Sequence, residues 1–151
     1  MIEQKIKKPK LIAGWREWAQ LPDLGVEKIK VKVDTGAKTS ALHAFDLSTF
    51  THMGVEWLRF DVHPFQDNEN ITHTCTCPIV DYRWITSSSG HSQKRFIIQT
   101  TLKMGEFSSL IDISLANRDE MGFRMLMGRN ALKGHILVDP SHSFLLSHQS
   151  H

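Results

Sequence analysis

The chain has 151 residues, of which 40% are hydrophobic and 23% charged, enough for one ordinary core and too few for two comfortable domains. Lysine and arginine exceed aspartate and glutamate by 18 − 16 = 2, an excess too small to point to a nucleic-acid partner without a clustered patch. No apolar window approaches the roughly 20 residues of a membrane helix, and the N-terminus lacks the apolar core of a signal peptide, so the expectation is a single ordered domain over 1–151, cytoplasmic and without a membrane partner.

Residues 1–13 are expected to be a flexible or loosely packed lead-in, basic from Lys5 to Lys10. Trp15 and Trp18 follow, three apart, and are expected to pack together on the core, since large aromatics dominate burial. Leu21 to Gly25, with Pro22, is turn chemistry. Ile29, Val31 and Val33 then alternate with Lys28, Lys30 and Lys32, the period-two signature of a half-buried strand. That strand ends on a carboxylate, Asp34, followed by Thr35, Gly36, Ala37 and Lys38. Gly36 lets the backbone turn and brings its own N–H toward the carboxylate, while Thr35 adds a hydroxyl. Such a loop can hold an acid still, which makes Asp34 a candidate catalytic acid, although a lone Asp-Thr-Gly is usually a plain turn.

Val55 to His63 predicts a strand with Leu58, Phe60 and Val62 on one face and Val55, Trp57, Arg59 and Asp61 on the other. After the polar loop of 66–70, His73, Cys75 and Cys77 alternate along an extended run and so share a face. By residue type they are the best metal-ligand candidates. The single residue between the cysteines is shorter than structural zinc pairs use, however, and no second pair exists, so buried strand residues are the favoured reading. The same spacing strains a mutual disulfide and suits reduced thiols.

Ile79 to Ile85 and Arg95 to Met104 read as two arms of a hairpin, with a Ser- and Gly-rich tip over Thr86 to Lys94 that is either a solvated loop or a lid. Phe107 to Leu115 is a further strand. The apolar run Phe123 to Met127 halts at Gly128 before Arg129, Asn130, Ala131 and Leu132, repeating the strand-then-turn logic of Val33 to Gly36. His135 to Asp139 and Phe144 to Leu146 predict short closing strands. Helical opportunities are confined to Ser40–Ala44 and Arg129–Lys133, so the fold class is all-β, a barrel or sandwich with one or two short helices.

Val33 to Ala37, a hairpin with a small-residue tip, and Met125 to Leu132 stand in the linear order of the retropepsins, which the sequence resembles. More closely, Gly14 to Trp18, Val33 to Ala44 and Phe123 to Arg129 resemble the bacterial RimB-like family, labelled ATP-dependent zinc proteases, retropepsin-like peptidases associated with ATP-grasp ligases that add glutamate tails. The resemblance implies a closed barrel of the acid-protease type and an aspartic endopeptidase with Asp34, Thr35 and Gly36 as its catalytic group. It also implies substrate contacts from Ala37, Lys38 and Arg129 and from Ser89, Gly90 and His91 in a flap. Because there is one Asp-Thr-Gly, it implies a homodimer in which each subunit supplies one acid. No cofactor is expected. A His-Glu-x-x-His helix and a Gly-x-x-x-x-Gly-Lys-Ser/Thr loop are both missing, so neither the zinc nor the ATP of the family label has its residues.

Two features depart from the retropepsin pattern. The segment Asp46 to Pro78 is longer than a minimal member needs. Retropepsins also commonly carry, after Asp-Thr-Gly-Ala, an acidic residue that pairs with the arginine of Gly-Arg-Asn, whereas this chain has Lys38. Lys38 and Arg129 would then be two cations at the mouth of the cleft, suited to a glutamate-rich peptide substrate. The alternative is that both are solvated or paired elsewhere. Two other readings stay open: a non-catalytic β-barrel that binds acidic peptides or a partner enzyme, and a metal-dependent hydrolase using His73, Cys75, Cys77 or His91.

Overall fold

A computed structural model describes residues 10–65, 70–86, 89–117 and 122–147. Lys5 to Pro9 of the lead-in, positions 66–69, Ser87 and Ser88 of the hairpin tip, and positions 118–121 lie outside the described residues. The strands are β1 (Leu11–Ala13), β2 (Arg16–Leu21), β3 (Val26–Val33), β4 (Ser40–His43), β5 (Phe45–His52), β6 (Val55–Val62), β7 (His73–Pro78), β8 (Asp81–Thr86), β9 (Ser92–Met104), β10 (Phe107–Ala116), β11 (Met125–Met127) and β12 (Ile136–Val138). One short helix, α1, spans Arg129–Leu132. No described helix is long and apolar enough to cross a membrane.

Six strands close into a barrel in the order β10-β4-β11-β3-β2-β9, with β9 pairing back onto β10. β3 shows how the sequence produces it. Val26, Ile29, Val31 and Val33 are buried, while Lys28, Lys30 and Lys32 keep to the outer face. A strand with one wet face requires this alternation. The turn from β2 to β3 closes at Gly25, whose φ of 75° favours glycine. β8 adds to the far side of β9, outside the closed ring. The long segment between Phe45 and Pro78 forms a separate three-stranded sheet, β5-β6-β7. Its inward residues Leu58, Phe60, Val62, Cys75 and Cys77 join the main core, as the predicted facing of Val55 to Val62 requires. β1 and β12 pair in parallel as a small two-stranded sheet.

Several local expectations are corrected. Ser40–Ala44 is not helical: Ser40–His43 is β4, which gains hydrogen-bonding partners from both β10 and β11. Partners distant in sequence override a weak local preference. Trp15 and Trp18 do not pack on each other. Trp15 meets Phe123 edge-on at 5.9 Å and Trp18 stacks on Phe144 at 5.9 Å, as an odd spacing along extended chain dictates. Phe144 to Leu146 is not a strand either, and the reason is Glu17.

Glu17 on β2 is fully buried. Its Oε2 accepts from the N–H groups of Gly14 (2.6 Å), Leu145 (2.9 Å) and Leu146 (3.2 Å). Its Oε1 accepts from Ser147 N (2.8 Å) and Ser147 Oγ (2.6 Å). The carboxylate thus replaces a neighbouring strand as the acceptor for the 145–147 backbone. Buried charge is tolerated when its lone pairs are filled this way. The same C-terminal segment braces the acid loop, since Trp15 N donates to His142 O (2.9 Å) and Val33 N donates to Trp15 O (2.8 Å) one residue before Asp34. Glu17→Gln turns one acceptor oxygen into a donor facing donors. It is expected to lower unfolding stability by about 2–4 kcal/mol and to expose the C-terminal segment to proteolysis at Phe144, Leu145 and Leu146; urea denaturation and limited chymotrypsin digestion measure both.

Candidate active site

β11 is parallel to β3 and antiparallel to β4, so it fills the gap between two strands that are consecutive in sequence. The connection over 34–39 must therefore cross the end of β11, which sets the acid loop against Gly128. Asp34 N donates to Met127 O (2.9 Å), and Arg129 N and Asn130 N donate to the carbonyls of Ala37 (2.8 Å) and Lys38 (3.1 Å). Only glycine fits between them. A Cβ on Gly128 would stand 2.8 Å from Thr39 O and 2.9 Å from Ala37 O. Ser40 and Asn130 lock the crossing from beneath. Gly128 N donates to Ser40 Oγ (3.0 Å), Ser40 N and Oγ both donate to Asn130 Oδ1 (2.8 Å each), and Asn130 Nδ2 donates to Asp112 O (2.7 Å).

Within the loop, Gly36 N donates to Asp34 Oδ1 (2.9 Å), and Asp34 is half-buried beside an exposed Thr35. Arg129 Nη1 donates to Thr35 O (3.2 Å). The guanidinium therefore steadies the loop's own backbone, in the place where retropepsins commonly pair it with an acid.

A cavity of about 600 Å³ lies over this loop. Asp34, Gly36, Ala37, Lys38 and Arg129 line one side and Arg83, Trp84, Ile85, Thr86 and Arg95, from β8 and β9, the other. Among its described lining residues Asp34 is the one carboxylate, set among the cations Lys38, Arg83, Arg95 and Arg129. Arg83 and Arg95 are direct cross-strand partners, an arrangement of like charges that costs sheet stability. Arg95 is 7% exposed, with Nε donating to Gln93 Oε1 (3.1 Å). Arg83 reaches Asp81 at 3.6 Å, but both side chains are about half exposed, so that pair contributes little.

The hairpin thus reaches the cavity through the β8 arm and the base of β9. Ser89, Gly90 and His91, the flap residues expected to touch substrate, are exposed and are not among the lining residues. Arg83, Trp84, Ile85 and Arg95 were not anticipated as site residues. Their signal is register: only once β8 and β9 are aligned does Arg83 fall opposite Arg95.

His73, Cys75 and Cys77 do share a face of β7, and that face turns inward. His73 Nε2 sits 2.8 Å from Leu24 O, and Cys75 Sγ donates to the same carbonyl at 3.6 Å. Burial pushes the Cys75 thiol up to about 12, with nearby Cys77 and Asp61 adding to the effect, and pushes Cys77 up to about 11. With no metal bound, both thiols therefore keep their protons near neutral pH. Among the described residues no group of three or more His, Cys, Asp or Glu is placed to hold a metal ion. Both thiols are expected to resist iodoacetamide at pH 8 in the native protein and to react in urea, as mass spectrometry would show. Their raised values also mean the folded chain keeps protons that the unfolded chain, with thiols near 9.0, releases. Unfolding free energy should accordingly fall as pH rises above 9.

The profile of the RimB-like family, described as retropepsin-like aspartic endopeptidase RimB, matches residues 12–149. A Desulfotalea psychrophila protein named probable alpha-L-glutamate ligase is 45% identical over 132 residues, which are 87% of this chain and 28% of that protein. A Shewanella pealeana protein of the same name is 44% identical over 137 residues, 91% of this chain and 30% of that protein. The chain therefore spans under a third of the length of these curated relatives. A crystal structure of a Legionella pneumophila protein of unknown function superposes with a TM-score of 0.75 and 27% identity, covering 91% of this chain and 99% of that one. Barrel, acid loop and the extent of the match agree: the chain belongs to the RimB-like family of retropepsin-like aspartic endopeptidases.

Proposed function

We propose that the chain is an aspartic endopeptidase that hydrolyses acidic peptide segments, glutamate-rich tails among them, as a homodimer with one Asp34 from each subunit. The observation that carries this reading is the cavity, in which a single carboxylate held by the Gly36 N–H faces four cations beneath a hairpin. Peptide hydrolysis of this kind needs two carboxylates sharing one proton. The ionised one takes a proton from water as the water oxygen bonds to the scissile carbonyl carbon. The neutral one gives its proton to the carbonyl oxygen. Collapse of the tetrahedral species then breaks the C–N bond: the carboxyl that took the water proton passes it to the leaving nitrogen, and the other carboxylate recovers a proton from the hydroxyl of the tetrahedral carbon.

This chain's residues have definite parts in that scheme. The Gly36 N–H on Oδ1 fixes the Asp34 carboxylate, the exposed Thr35 offers its hydroxyl to the second loop across a dimer axis, and Ala37 lines the substrate path. Lys38, Arg83 and Arg95 place acidic side chains on either side of the scissile bond, since cations in a partly enclosed site attract carboxylates strongly. Relatives named glutamate ligases, in which a domain like this one is a minor part, support a functional link to an ATP-grasp glutamate ligase, one enzyme extending tails and the other cutting them. A non-catalytic barrel that binds acidic peptides is the second reading, favoured by the single carboxylate in the described cavity of one subunit.

Asp34→Asn is expected to reduce cleavage of oligoglutamate by roughly a thousandfold or more with an unchanged melting temperature, while sedimentation of the active protein shows a dimer. A strictly monomeric protein that binds but never cuts would establish the second reading instead. Lys38→Ala and Arg83→Ala are each expected to raise KM for glutamate-rich peptides by about tenfold while leaving neutral peptides little affected; an unchanged preference would sink the assignment of these cations.

A further inference from the structure

The cavity accounts for Lys38, Arg83, Arg95 and Arg129 but not for a second set of cations on the barrel's outer face. Lys28, Lys30 and Lys32 point outward at every second position of β3. Arg16 on β2 lies opposite Lys32, and Trp18 lies opposite Lys30. The Lys28 and Lys30 ammonium groups sit 4.4 and 5.1 Å from the Trp18 ring centre. Glu27 is the acid on β3, at the end of the row away from Asp34. Side chains that meet across a ladder point to the same face. Ala41 pairs with Leu126, Leu126 with Lys32, and Lys32 with Arg16. Ala41 and Leu126 both line the cavity. The basic row therefore begins on the same face of the sheet where the cavity wall ends.

We propose that Lys28, Lys30 and Lys32, flanked by an Arg16 already held against the Trp15 and Phe144 rings, form an exosite that holds the part of an acidic polypeptide extending beyond the cavity. The inference rests on the acidic-substrate reading above. An extended chain rises ~3.3 Å per residue with alternate side chains on one face, so its acidic groups repeat at the spacing of outward lysines on a strand. Nucleic acid fits less well. Unspecific single-strand binding relies on aromatic faces open to bases, whereas the Trp18 ring is already covered by two ammonium groups and by Phe144. The Trp18 contacts serve instead to hold the lysine stems in register, so that less side-chain freedom is lost when an acidic chain arrives. Roughly six residues of extended chain cover the path from Asp34 to Lys28. A peptide much shorter than that fills the cavity without reaching the row.

Fluorescein-labelled oligo-L-glutamates of about five and about 20 residues, titrated against the Asp34→Asn protein, separate the two sites. The longer probe is expected to bind about tenfold more tightly and to shift the Trp18 indole N–H resonance, which the shorter one leaves in place. Adding Lys28→Gln and Lys30→Gln, with folding checked by thermal melting, is expected to bring the long probe down to the affinity of the short one. Survival of the length advantage in that variant overturns the exosite while leaving the cavity reading intact. Failure of both probes to bind the Asp34→Asn protein overturns the acidic-substrate reading and the exosite together. Tighter binding of a single-stranded oligonucleotide of equal length, lost on the same two substitutions, overturns the proposal in favour of nucleic acid.

Discussion

Everything at the candidate site follows from one steric constraint: β11 occupies the slot between β3 and β4. A chain leaving β3 has no free edge to return along, so it must climb over the end of β11 within the few residues of the acid loop. That crossing brings backbone within contact distance of Gly128, where no side chain fits. The backbone amides and carbonyls stranded by the crossing bond to one another and to Ser40 and Asn130. The carboxylate of Asp34 is thereby positioned by a knot of main-chain contacts, which leaves the loop's side chains free for chemistry.

A second constraint acts from the other side of the barrel. The buried Glu17 carboxylate gathers the C-terminal backbone, and that backbone steadies Trp15, which in turn pairs with Val33. Two unlike devices, a glycine crossing and a buried charge filled with N–H donors, meet at the same strand end. Rigid support on both sides is what a site needs when its reacting group must stay put during proton transfer.

The parts of this arrangement that were legible in the sequence were those written in local pattern. The alternation of Ile29, Val31 and Val33 placed Asp34 at a strand end, and the outward run of Val55 to Asp61 gave the correct facing of β6. The parts that were not legible depend on partners far away in the chain. β4 is four residues long and lives on hydrogen bonds to β10 and β11. β5 is nearly all exposed, so no alternation marks it. Phe144 to Leu146 carries apolar residues of a strand, but the N–H groups of Leu145 and Leu146 are claimed by a carboxylate more than a hundred positions earlier. The roof of the cavity was hidden for a related reason: Arg83 and Arg95 are unremarkable until register sets them face to face. A family likeness pointed to the flap's tip, and the described cavity meets its first residue, Thr86, together with the arm below it.

The inward turn of β7 has a consequence for how this protein ages. Peroxide attacks thiolates, not thiols, and both cysteines are buried and hold their protons. Met104, Met125 and Met127 are shielded in the core, while Met53, 89% exposed at the β5–β6 turn, stands open to solvent. Among the described residues, oxidative damage therefore falls first on a thioether in a surface turn, where conversion to the sulfoxide touches neither the core nor the acid loop.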